Sequence, residues 1–245
     1  MSVSKELNLQ KAYLLHSRPY RDSRLLVNLL TEQHGHVSAV VYIGKSKKAN
    51  KKGLLQPFAC LQIELQGSND LKSLSRIEHA DKSLALSGNF LFSGFYLNEL
   101  MVRLLPENIP CESLFQLYQT SLNQLLLQSP LEPMLRKFEL TLLAELGFSL
   151  DFHDLQQQPE QPSTQISEPY GNELHFVPEQ GFVLADFDLS LPRYNRQHII
   201  AIGDGKLEQA DVLLTCKRLM RQVLQSYLGK KPLNSRKLFS NKFAK

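Results

Sequence analysis

The 245-residue sequence predicts an α+β protein: a small five-stranded barrel followed by an all-helical domain with a β-hairpin insertion. Three observations lead there. Apolar residues alternate with a period of two through the first eighty positions. The period lengthens to 3.6 after Ala80, and a Gln- and Pro-rich stretch later interrupts the helical pattern. With 42% hydrophobic and 21% charged residues, the composition is that of a globular chain. No apolar run approaches the roughly 20 residues of a membrane span, and the N-terminus lacks the apolar core of a secretory signal. Three widely spaced cysteines, Cys60, Cys111 and Cys216, fit a reduced cytoplasmic protein and exclude a disulfide scaffold or a CxxC zinc ribbon.

The strand reading takes five segments in order. Gln10 to His16 carries Tyr13 and Leu15 on one parity and Ala12 and Leu14 on the other, so both faces are expected to be partly covered. Arg24 to Thr31 is a dense Leu/Val run, and His36 to Ile43 places Val37, Ala39, Val41 and Ile43 on one face. Phe58 to Leu65 and Leu71 to Ala80 complete the set, with turn chemistry at His34-Gly35 and Gly67-Ser68-Asn69-Asp70. Five short strands over residues 1–80 point to an OB-fold, although an SH3-like barrel has the same strand count. Residues 81–245 then form the helical domain. Ser83 to Leu105 is apolar almost all round, with Gly88 and Gly94 marking close packing or a break, and Pro106 ends it. A second helix runs from Ser113, a candidate N-cap, to Leu126. A third holds Met134, Phe138 and Leu142 and stops at Gly147; a fourth runs from about Glu208 to Leu228 and stops at Gly229. Between the last two lies an irregular insertion at about 152–190. It comprises an exposed loop over Gln156 to Pro169 and a hairpin, Leu174–Val177 and Phe182–Leu184.

Enzymatic chemistry finds no support. Gly44-Lys45-Ser46 follows a strand, but Ala39 stands where a phosphate loop needs glycine, and a lysine-rich segment follows in place of the required helix. Gly203-Asp204-Gly205-Lys206 is too short for a dinucleotide loop and reads as a turn between helices. His34 and His36, or Asp151, His153 and Asp154, fall short of the four convergent ligands of a structural zinc site. The expectation is a protein without catalytic residues, cofactor or metal.

Charge carries more information. Residues 1–80 hold 12 basic and 6 acidic groups, whereas residues 151–214 hold 3 and 11; the last 31 residues hold 9 basic groups and no acid. Two cationic ends flanking an anionic middle fit a polyanion partner. Lys45, Lys47, Lys48, Lys51 and Lys52 fall within eight residues between two strands, where ammonium groups suit phosphate contact. Arg18, Arg21 and Arg24 precede the second strand with Tyr20 among them, and Tyr42 leads into the lysine segment. Aromatic rings beside cations can stack bases while phosphates are neutralised; alternatively Tyr20 and Tyr42 help fill the barrel. Lys217, Arg218, Arg221, Lys230, Lys231, Arg236 and Lys237 make a second cationic surface.

The segments His16-Ser17-Arg18-Pro19, Lys52-Gly53-Leu54-Leu55-Gln56-Pro57-Phe58, Tyr96-Leu97-Asn98-Glu99-Leu100, Leu135-Arg136-Lys137-Phe138-Glu139-Leu140 and Leu228-Gly229-Lys230-Lys231-Pro232-Leu233 resemble the bacterial recombination mediator family RecO. They run in order over nearly the whole chain. The resemblance implies an OB-fold and a helical domain, and binding of single- and double-stranded DNA. It also implies annealing of complementary strands, and loading of recombinase onto strands coated by single-strand-binding protein. The implied partners are RecR and the C-terminal tail of that coating protein, and the implied place is the cytoplasm, at the nucleoid. Arg136 and Lys137 are the candidates for gripping the acidic tail; Arg136 alternatively pairs with Glu132 or Glu139 at helical spacing. Some members of the family carry a four-cysteine zinc module after the third helix. This chain has no Cys between Cys111 and Cys216, so the hairpin at 170–184 is expected to be held by side-chain packing.

Overall fold

A computed structural model describes residues 9–44, 51–81, 84–148, 150–152, 155, 172–185 and 190–240. Its first five strands are β1 (Leu9–Pro19), β2 (Arg24–Thr31), β3 (Gly35–Tyr42), β4 (Cys60–Gln66) and β5 (Lys72–His79), with a single helical turn, α1 (Lys51–Leu54), between β3 and β4. They close in the order β1-β2-β3-β5-β4, antiparallel except where β3 meets β5 at Ala39 opposite Lys72. This is the OB-fold arrangement, and it resolves the choice that strand count left open. Ala12, Leu14, Val27, Leu29, Ala39, Val41, Leu61 and Ile63 fill the barrel from alternating positions. The other face of β1 is covered as its parity suggested: Tyr13 packs 5.5 Å from Phe115 and 5.1 Å from Tyr118, ring centre to ring centre.

The helices are α2 (Gly88–Leu104), α3 (Glu112–Leu126), α4 (Leu131–Glu145), α5 (Arg196–Gly203), α6 (Ala210–Leu228) and α7 (Ser235–Ser240). α2 starts at Gly88, later than the apolar run suggests, and passes through Gly94 unbroken. A Cβ at Gly94 would sit 2.7 Å from the Phe58 ring, so that glycine serves close packing. The N-cap of α3 is Cys111, not Ser113, because Phe115 N–H already bonds the Cys111 carbonyl. Gly147 closes α4 at φ +77: its N–H bonds the Ala144 carbonyl and that of Phe148 bonds Leu143, a paired C-terminal closure. Gly229, at φ +68, ends α6.

The hairpin forms as β6 (Glu173–Val177) and β7 (Gly181–Leu184), and a third strand, β8 (Arg193–Asn195), joins it on the other side of β6. Leu174 and Tyr194 are buried in this sheet, and Phe182 meets Phe176 and Phe152 at 5.5 and 5.8 Å. The loop expected over Gln156 to Pro169 lies outside the described residues. By compactness the chain forms two units, Met1–Ser129 with Leu233–Lys245, and Pro130–Pro232. The first therefore holds the barrel with α2, α3 and α7, the second α4 to α6 with the small sheet. Among the described residues, no helix is long and apolar enough to cross a membrane.

Candidate nucleic-acid interface

The end of the barrel where β1 turns into β2 gathers five of the N-terminal candidates, Arg18, Tyr20, Arg21, Arg24 and Tyr42. Tyr20 N–H bonds the Arg24 carbonyl at 3.0 Å, and Arg21 and Ser23 take left-handed φ of +50 and +58 in the turn. Ile43 N–H bonds the Ser23 carbonyl at 2.9 Å, which brings the end of β3 beside that turn. Across the strands, Arg18 stands opposite Leu26, Leu26 opposite Val40, and Arg24 opposite Tyr42. Leu25, Val27 and Val41 point into the barrel, so Arg24 and Tyr42 share its outer face by strand alternation. Tyr42 is 59% exposed and so stands outside the barrel and does not fill it; Tyr20 is half-buried beneath the Arg21 guanidinium, 5.4 Å from its ring centre. Lys45, Lys47 and Lys48 lie outside the described residues. Lys51 and Lys52 open α1, and only their backbone is described. Ile43 and Gly44, the last described residues before the lysine segment in sequence, stand at the same end as the arginine turn.

Arg18 reaches the outer face through an irregularity in β1. Leu14 pairs with Leu29 and His16 with Asn28, so Leu15 is an extra residue that reverses the alternation. Before it Ala12 and Leu14 face inward; after it His16 and Arg18 face outward. The Leu15 carbonyl accepts a hydrogen bond from Asn98 Nδ2 at 3.1 Å, and Tyr118 donates its hydroxyl to Asn98 Oδ1 at 2.6 Å. Burial pushes the Tyr118 hydroxyl far above the usual phenol range, so it acts as a neutral donor. Asn98 and Tyr118 were not candidates from sequence; the one available sign was a polar residue inside an almost wholly apolar helix.

The C-terminal cations fall into two sets. Lys217, Arg218, Arg221, Lys230 and Lys231 belong to the unit of α4 to α6, whereas Arg236 and Lys237 sit on α7 in the barrel's unit. Lys217 Nζ lies 2.7 Å from Glu132 Oε1, and the Arg218 guanidinium lies 5.7 Å from the Tyr194 ring centre. Burial pushes the Tyr194 hydroxyl up to about 12 against the opposing Arg218 charge. Arg221, Lys230, Lys231 and Lys237 are exposed and Arg236 is half-buried. Of the tail-gripping pair, Lys137 is exposed, whereas Arg136 is buried with its Nη2 2.9 Å from Glu139, itself fully buried. Of its two possible helical pairings, Arg136 makes the one to Glu139.

The remaining motifs have structural uses. His36 places Nδ1 3.1 Å from the Leu105 carbonyl, and His34 lies 3.0 Å from the Gln10 amide. Gly205 and Lys206 close α5 by N–H bonds to the Ile202 and Ala201 carbonyls. Among the described residues no three His, Cys, Asp or Glu side chains gather to hold a metal; His153 and Asp154 lie outside them.

Comparison with known proteins agrees with this architecture. The family model "Recombination protein O N terminal" matches residues 6–82, and "Recombination protein O C terminal" matches residues 87–237. The DNA repair protein RecO of Cellvibrio japonicus (strain Ueda107) is 44% identical over 239 residues, covering 96% of this chain and 97% of that protein. The protein of that name from Stutzerimonas stutzeri (strain A1501) is 40% identical over 235 residues, 95% and 93% of the two chains. That of Aliivibrio fischeri (strain MJ11) is 34% identical over 234 residues, 96% of each.

Proposed function

Since the chain belongs to the RecO family of DNA repair proteins, we propose that it is a non-enzymatic recombination mediator. It binds DNA, anneals complementary single strands and helps load a recombinase onto strands coated by single-strand-binding protein, with RecR as a partner in the cytoplasm. One observation carries the DNA-binding reading: Arg18, Arg24 and the exposed Tyr42 share the outer face of β1 to β3, and the lysine-rich segment follows β3 in sequence. The outer face of strands 2 and 3 and the loop between strands 1 and 2 are where OB-folds hold oligonucleotides. Arginine and lysine there neutralise phosphates while an exposed ring stacks a base. Two strands so neutralised repel each other less and meet at higher local concentration, and annealing then needs no nucleotide hydrolysis.

The exposed Lys137, on the same helix as the Arg136–Glu139 pair, is the ammonium offered to an acidic protein tail. Titration of labelled single-stranded oligonucleotides over a range of salt tests the DNA reading. Log affinity is expected to fall with log salt by about 0.7 per phosphate contacted. Reversing the charge at Lys47, Lys48 and Lys51 should flatten that line, and an unchanged slope removes the lysine segment from the interface. Annealing of complementary oligonucleotides, bare and precoated, tests the mediator role directly.

A further inference from the structure

The segment Tyr96–Leu100 of α2 sets two polar residues side by side. Asn98 is accounted for by the β1 irregularity. Its neighbour Glu99 turns to the chain's return from the other unit: Oε1 accepts the Asn234 N–H at 2.8 Å and Oε2 accepts the Ser235 N–H at 2.7 Å. Those amides open α7, which at six residues is too short to hold itself together. Docking supplies what length does not. Leu233 is buried just before it, and Phe239 sets its ring edge-on to Phe92 at 5.6 Å. A carboxylate taking both amides makes charge-assisted hydrogen bonds, the stronger kind. Burial works to raise the Glu99 pKa, but the hydrogen bonds from Ser235 and Asn234 and the Arg103 charge outweigh it, so the group stays ionised. The helix so anchored, Ser235-Arg236-Lys237-Leu238-Phe239-Ser240, carries two cations and no acid.

We propose that Glu99 is a positioning residue for polyanion binding: it anchors α7 to α2 so that Arg236 and Lys237 are presented from the unit that holds the barrel. The inference rests on the DNA-binding reading above, and its test separates the two.

The measurement is the salt dependence of oligonucleotide affinity for four full-length proteins: wild type, R236A/K237A, E99A and the triple variant. Losing two phosphate contacts should lower the slope by about 1.4 in R236A/K237A. E99A should lose the same amount, and the triple variant no more, because Glu99 acts only through the cations it positions. Amide exchange over residues 233–240 should quicken in E99A by more than that of the barrel strands. E99Q retains one acceptor oxygen and should fall between, and it replaces E99A if the latter fails to fold. A wild-type slope in E99A, or additive losses in the triple variant, overturns the proposal. So does a wild-type slope in R236A/K237A; in that case a slope lost in R18A/R24A leaves the DNA-binding reading standing. A wild-type protein with no affinity for oligonucleotides at low salt overturns both.

Discussion

Arg136 shows how one side chain can be drawn between two duties. A guanidinium on the polar side of a helix is a natural clamp for a carboxylate tail. Here it is 6% exposed and bonded to Glu139, which is fully buried, between neighbours that include Cys216. Removing one member of a buried ion pair strands the other charge, at a cost of about 3–5 kcal/mol, whereas replacing both with apolar residues is often neutral. R136M should therefore be destabilised by about that amount in urea unfolding, and R136M/E139L should lose less than R136M alone. The double variant, folded and without the guanidinium, is the protein in which to measure affinity for an acidic tail peptide. Wild-type affinity there would give Arg136 to the helix packing and leave the tail to Lys137.

At the scale of elements, helix ends show what local sequence encodes and what it does not. Gly147 was legible as a stop and Gly205 as part of a turn, because glycine takes positive φ without cost. α3 closes by the same pair of bonds, Gln128 N–H to Leu125 and Ser129 N–H to Gln124, but with Gln128 at φ +55. A side chain in that region costs about 1–2 kcal/mol, so Q128G should raise stability by about 1 kcal/mol and the melting temperature by a few degrees. An unchanged or lowered melting point would mean that Gln128 contributes contacts outweighing its strain. The barrel strands were legible for a related reason, since alternation is written every second residue. The Leu15 irregularity was not, because its carbonyl is satisfied by Asn98, more than eighty positions away. β8 and α7 escaped notice as well: at three and six residues they have no period to read, and pairing with β6 or docking on α2 is what forms them. α7 also predicts a pH response. The folded Glu99 pKa lies below its ordinary value near 4.5. Its contribution is therefore complete above that value and is lost as pH falls through the lowered folded one. The protection of amides 233–240, the exchange rate taken relative to its intrinsic value at the same pH, should fall in that acid window and stay flat from pH 6 to 8, with E99Q flat throughout.

For the whole molecule, the cationic C-terminus was legible as composition, but its division was not, because topology decides it. The chain leaves the first unit at Ser129, builds the second, and comes back at Leu233, so Leu233 and α7 belong to the barrel's unit. Ending the chain at Pro232 should then weaken the first unit and spare the second. Three thiols report on this: Cys60 and Cys111 lie in the first unit, Cys216 in the second, and all are buried. Burial pushes the Cys60 thiol above its usual value, and pushes Cys216 up to about 12 against the partly cancelling charges of Arg136 and Glu139. Thiolate is the reactive form, so labelling at pH 8 requires the surrounding structure to open, and its rate measures how often that happens. The chain truncated at Pro232 lacks Leu233 and the Phe239 ring against Phe92, and leaves the Glu99 carboxylate without its two amides. Cys60 and Cys111 should label faster in it than in the full chain, with Cys216 unchanged, as read peptide by peptide in a mass spectrometer. Equal acceleration at all three sites would mean that the two units open together and that α7 stabilises the molecule as a whole.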